Sequence, residues 1–94
     1  MTPEAFEVAV RAECSSVADM LVQKNGSYGN SALDPVRIFS KATREEQILV
    51  RLDDKLSRVA RGHASGEDVV LDLLGYLILL RMARAAAPME TADG

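Results

Sequence analysis

The segment VVLDLLGYLILL, residues 69 to 80, limits most sharply what this chain can become. Its residues are apolar on most sides at helical spacing. A helix of that kind is normally the central one of its domain. Its longest unbroken apolar run, residues 73 to 80, lies between Asp72 and Arg81. That is far short of the ~20 residues of a membrane span, so the segment reads as a buried helix. With only 94 residues in the chain, a partner subunit has to cover the faces that its own helices leave bare. A homodimer or larger assembly is expected.

Composition supports helices around it. Aromatic residues are 4% of the chain and Trp is absent, which favours aliphatic helices over a β-sandwich. Thr2-Pro3-Glu4 has the order of a helix start. Phe6, Val10, Cys14, Val17 and Leu21 follow at helical spacing, predicting a first helix over about 3–23 that Gly26 stops. Residues 24–35 read as a loop. Pro35 turns Asp34 away from helix, and the segment 35–40 forms one turn whose Ile38 and Phe39 cover an end of the core. Thr43 and Glu46 have the spacing of a capping box. Ile48, Leu52, Leu56 and Val59 continue a second helix over about 43–61, ended by Gly62. Ser65 and Asp68 repeat the capping pattern before a third helix over about 66–86, stopped by Pro88. The fold expected is all-α, a small bundle of three main helices completed by oligomerisation. Residues 1–88 form the single domain and 89–94 a flexible tail.

The first ten residues carry acids and no basic stretch, unlike a secretory signal. Cys14 is the single cysteine. It forms no disulfide within the chain, belongs to the apolar stripe of the first helix, and fits a cytoplasmic setting. Net charge is −3, low for a duplex-DNA binder. The charge is unevenly spread: residues 24–63 carry eight basic side chains against five acidic, the remainder three against nine. A basic middle of this kind suits a small anion such as a nucleotide, or a solvated helix face.

Three features bear on chemistry. In KNGSYGNS, residues 24–31, Gly26, Gly29, Asn25 and Asn30 suit a turn, while Lys24 and Tyr28 carry long polar side chains that a turn does not need. On the second helix Gln47, Arg51, Asp54 and Arg58 share one face, flanked by Lys55. That pattern is either a salt-bridged exterior or one wall of a site. On the third helix Asp68, Asp72 and Tyr76 form one stripe. Asp68 suits the helix start. Asp72 lies within the greasy segment, where an unpaired carboxylate is costly to bury. It needs Arg51, Lys55, Arg58, Lys24 or a metal. Carboxylates from facing helices are a plausible Mg²⁺ site. His63 belongs to a surface loop with no catalytic partners.

Taken in order, K24-N25-x-x-Y28-G29-N30-S31, R51-L52-x-D54-K55-L56-x-R58 and D68-x-x-x-D72-L73-x-x-Y76 resemble the nucleotide modification associated domain 1 family of phages and prophages. That family is similar to the MazG-like all-α nucleoside triphosphate pyrophosphohydrolases. The resemblance covers about residues 20–80. It implies an oligomeric helical bundle that handles nucleotides. It places Asp54, Asp68 and Asp72 as Mg²⁺-side carboxylates, with Asp54 and Asp72 catalytic. It makes Lys24, Arg51, Lys55 and Arg58 phosphate-side cations, puts Asn25 and Tyr28 against base or sugar, and counts Tyr76 among the binding residues. The pattern departs from the enzymes in one respect: the second helix holds no E-x-x-E, only Glu45-Glu46 at its start and Asp53-Asp54 two turns on. Three functions follow as expectations: a Mg²⁺-dependent pyrophosphohydrolase, a nucleotide binder without catalysis, or a helical interaction module with no ligand.

Overall fold

Each helix begins at a side chain that accepts a hydrogen bond from an otherwise unpaired N–H of the first turn. The Thr2 hydroxyl accepts from Ala5 N at 3.1 Å, and α1 runs Pro3–Ser27. The Thr43 hydroxyl accepts from Glu46 N at 3.1 Å, and α2 runs Arg44–Ala60. The Asp68 carboxylate accepts from Leu71 N at 3.1 Å, and α3 runs Val69–Ala92. The computed structural model describes residues 1–27, 31–33 and 38–92, with side chains up to residue 86. Among these residues there is no strand, so the expected all-α class and its three main helices are observed. Among the described residues no helix is long and apolar enough to cross a membrane.

The boundaries differ from expectation at three places. Gly26 does not stop α1, which continues to Ser27. Glycine costs a helix about 1 kcal/mol, too little to end one by itself. Lys24 and Asn25 therefore sit on a last helical turn, where a cation suits the helix dipole. The start of α3 is later than expected. Gly66 takes a φ of 83°, outside the right-handed helix, so Ser65 and Gly66 belong to a turn and Asp68 becomes the cap. Pro88 does not stop α3 either. Its fixed φ is compatible with the helix, and its missing N–H removes one rung. At Gly62 the expectation holds. The φ is 75°, and the Gly62 and His63 N–H groups donate to the Val59 and Arg58 carbonyls. That is a Schellman closure of α2.

α3 joins the other two helices. α2 and α1 both pack against it, and make no close backbone approach to each other. Glu45 pairs with Arg84, and Lys55 with Asp72, so α2 runs antiparallel to α3. Lys24 meets Asp72 while Met20 and Leu21 meet Gly75, so α1 is antiparallel to α3 as well. Ile48, Leu80 and Ala83 form the buried core between α2 and α3. Leu33, Leu49, Leu52, Tyr76 and Leu79 pack around it.

Other apolar residues do not reach this core. Cys14, expected inside, is exposed, as are Phe6 and Val10. On the α1 stripe Val17 is buried and Leu21 half-buried. Helical spacing puts the stripe on one side, but α3 engages only the part of it from about Val17 onward. Ile38 and Phe39 are also exposed rather than covering the core. Residues 38 and 39 form a bend, while the rest of the expected turn, residues 35–37, lies outside the described residues.

Ile48, with 1% of its surface exposed, carries the clearest energetic prediction. Ile48→Ala removes three carbons from the core and should cost about 2–4 kcal/mol in chemical denaturation. Val50→Ala, on the exposed side of the same helix, should change stability by under ~0.5 kcal/mol. Equal effects would contradict this placement of the core.

Candidate functional site

The α2–α3 connection, residues 61–68, folds the two helices into a hairpin and sets the register of their charges. Counting back from the turn, Lys55 and Arg58 of α2 fall opposite Glu67 and Asp72. The Lys55 ammonium donates to Asp72 Oδ2 at 2.6 Å and to Glu67 Oε1. Arg58 donates to Glu67 Oε2. From α1, Lys24 Nζ stands 3.5 Å from Asp72 Oδ1. Lys24, Asp72, Lys55, Glu67 and Arg58 thus form one alternating ladder across three helices. Its centre is the least exposed: Lys55 is 6% exposed and Asp72 22%, while Lys24 and Arg58 are about half exposed.

Proton affinities follow from these contacts. The hydrogen bond from Lys55 holds the Asp72 carboxyl below its ordinary value, against the opposing effect of partial burial. Glu67 is lowered too, by its hydrogen bond from Lys55 and then by that from Arg58. Lys55 is raised, chiefly by Asp72 and then by Glu67. All three groups are held charged.

The ladder floors a cleft between α1 and α2 with two compartments. The polar one, about 260 Å³, is walled by Arg51, Asp54, Lys55, Arg58 and Glu67. The more apolar one, about 170 Å³, is walled by Met20, Leu21, Ala32 and Leu79, with Asn25 and Ser31 at its edge. Lys24, Arg51, Asp72 and Tyr76 line both. Gly75 lets α1 close the apolar side. A Cβ there would stand 2.9 Å from Met20 Cε and 3.2 Å from Leu21 Cδ2.

Of the residues singled out in the sequence, Lys24, Arg51, Asp54, Lys55, Arg58, Asp72 and Tyr76 meet at this cleft, and Asn25 joins them on the apolar side. Tyr28 lies outside the described residues. Asp68 does not join the cleft lining, since its carboxylate caps α3. Gln47 donates to the Ala42 carbonyl at 3.0 Å, a structural role at the start of α2. Two acids were not anticipated. Glu67 precedes the cap and hides among loop residues, although hairpin counting from Gly62 would have placed it opposite Arg58. Glu45 receives a hydrogen bond from Arg84 Nε at 2.6 Å, tying the other end of the hairpin.

A resident Mg²⁺ does not fit this arrangement. Among the described residues no three His, Cys, Asp or Glu side chains gather as a metal-holding group. Asp72 and Glu67 are held by the Lys55 ammonium, and Asp68 by its own helix. In comparisons with known proteins, no family model matches the chain, and no curated protein or solved structure does.

The ladder predicts a pH profile. The lowered carboxyls of Asp72 and Glu67 contribute stability above their unfolded-state values, lost as pH falls through the lowered folded ones. The raised Lys55 contributes stability below its unfolded-state value of 10.5, lost as pH rises through the higher folded one. The thermal midpoint should stay level between about pH 5 and about pH 9 and fall on either side. Asp72→Asn should lower the plateau, flatten the acid limb and bring the alkaline fall to lower pH. Limbs unchanged by Asp72→Asn would remove Asp72 from the ladder.

Proposed function

We propose that the cleft binds a nucleotide, or a phosphorylated small molecule built like one, without a resident metal. The observation that carries this reading is the junction of a polar and an apolar compartment at Lys24, Arg51, Asp72 and Tyr76. A nucleotide has the matching form, with a charged phosphate end and a flat base whose faces stack on apolar surface. Arg51 is exposed and makes no ion pair among the described residues. Its planar fork suits a phosphate. Lys24 is half exposed at 3.5 Å from Asp72, so its ammonium can turn to an anion without leaving a deeply buried partner bare. Arg58 stands at the outer end of the polar compartment. Tyr76 offers a ring and a hydroxyl where the compartments meet.

Lys55 has a different part. Enclosed by Asp72 and Glu67, it fixes the wall rather than reaching the ligand. The polar compartment is lined by four cations, Lys24, Arg51, Lys55 and Arg58, against three carboxylates, Asp54, Glu67 and Asp72, so the field that an incoming phosphate meets is only slightly positive, with Lys24, Arg51 and Arg58 the cations exposed to it. The resemblance read in the sequence supports nucleotide handling. The absence of a gathered carboxylate set favours binding over hydrolysis.

Calorimetry with nucleoside mono-, di- and triphosphates in EDTA tests the reading. Binding is expected to weaken as salt rises, and Arg51→Ala should weaken it about tenfold or more, on the order of 1.4 kcal/mol. Arg51→Lys should recover little, since a point charge does not replace the fork. Binding that requires Mg²⁺, with pyrophosphate release that Asp72→Ala abolishes, would establish the hydrolase instead. No heat and no thermal shift with any nucleotide would leave a helical interaction module.

A further inference from the structure

The charges of the cleft are not spread evenly along it. The inner part, where the two compartments meet, holds Lys24, Arg51 and Asp72. Lys24 and Asp72 face each other there at 3.5 Å. Arg51 makes no ion pair among the described residues, so the unpaired charge of the inner part is a cation. The outer part, which belongs to the polar compartment alone, holds Asp54, Lys55, Arg58 and Glu67. Both of its cations are bonded to Glu67, and Lys55 to Asp72 as well. Asp54 is the group left over. It is exposed, and its carboxylate makes no ion pair or hydrogen bond among the described residues. The unpaired charge of the outer part is therefore an acid. Size does not set the limit on what enters. At about 260 Å³ the polar compartment has space for several waters of ~30 Å³ each, enough for more than one phosphate group.

Resting on the reading of the cleft as a nucleotide site, we infer that it takes a nucleoside monophosphate in preference to a polyphosphate, and that Asp54 sets this limit. The base occupies the apolar compartment and its phosphate the junction, facing Arg51 and Lys24. A dianion there meets one cation without a partner and a second that is half exposed and loosely held. A second or third phosphate has to continue into the outer part. An ionised carboxylate only accepts hydrogen bonds, so Asp54 offers such a phosphate no bond and repels its charge. Arg58 meets that charge only by giving up Glu67. Mg²⁺ is the ordinary means of joining a polyphosphate to carboxylates, and the described residues gather no group of three to hold it. The selection works by penalising the longer ligand, not by an added contact to the shorter one.

Titration calorimetry of the full chain in EDTA, with the mono-, di- and triphosphates of each common ribonucleoside, tests the limit. For a base that binds, the monophosphate is expected to bind about tenfold or more tighter than the triphosphate. Asp54→Asn changes an exposed side chain that has no partner among the described residues, so the thermal midpoint should not fall. The substitution should narrow the gap between mono- and triphosphate about threefold or more, chiefly by tightening the triphosphate. A triphosphate that binds as tightly as the monophosphate, in EDTA or in Mg²⁺, would overturn the limit and leave the nucleotide reading standing. A gap that Asp54→Asn leaves unchanged would take the selection away from Asp54 and overturn the inference in the same way. Heat from none of these nucleotides would remove the nucleotide reading, and the limit with it.

Discussion

The ammonium of Lys55 lies between two carboxylates that come from opposite sides of a helix start, Glu67 before it and Asp72 within it. A cation so enclosed is tolerated only because both partners are charged and bonded to it. The net gain over an apolar replacement is small for such groups, yet removing one partner leaves an uncompensated charge. The contact therefore selects a register more than it adds stability. Sliding α2 along α3 by one turn would separate Lys55 from both acids, and Arg58 from Glu67. The Glu45–Arg84 pair fixes the same register at the far end of the hairpin.

From that register the cleft follows. Asp72 is held toward α2 by Lys55 and approached from α1 by Lys24. Since α1 and α2 do not pack on each other, α3 is the floor and they are the walls. Gly75 leaves room for the Met20 and Leu21 side-chain tips, which a Cβ there would displace. The apolar compartment depends on that close approach, and the polar one on the ladder. One helix thus serves two faces. The side bearing Asp72 and Tyr76 lines the cleft, and the side bearing Val70, Leu74 and Ile78 is left without cover from its own chain.

Much of this could be read from particular residues. Asp72 stood out because a carboxylate in VVLDLLGYLILL has to find a cation, and it found two of those anticipated. The Thr43 cap and the Gly62 stop are local chemistry, set within a few residues, and both were observed. Signals that compete with neighbours were less legible. Gly26 is a weak breaker that the flanking helix overrode, and Pro88, a stronger one, did not end α3 either. Cys14 and Phe6 keep the spacing of a core stripe, but spacing tells which side a residue faces, not whether anything lies on that side. Glu67 went unseen because its role exists only after the hairpin closes and brings it over Arg58.

The chain alone determined three helices, the caps of the first two and the need of Asp72 for a positive partner. These depend on backbone propensity and on the cost of burying charge, and both act over short stretches of sequence. Tertiary structure decided which cation took the centre and which stayed at the rim. It brought Glu67 into the ladder against Lys55 and Arg58. It also left one face of α3 bare. Those outcomes depend on distances between residues far apart in the chain, which the register of the packed helices sets and no local pattern encodes.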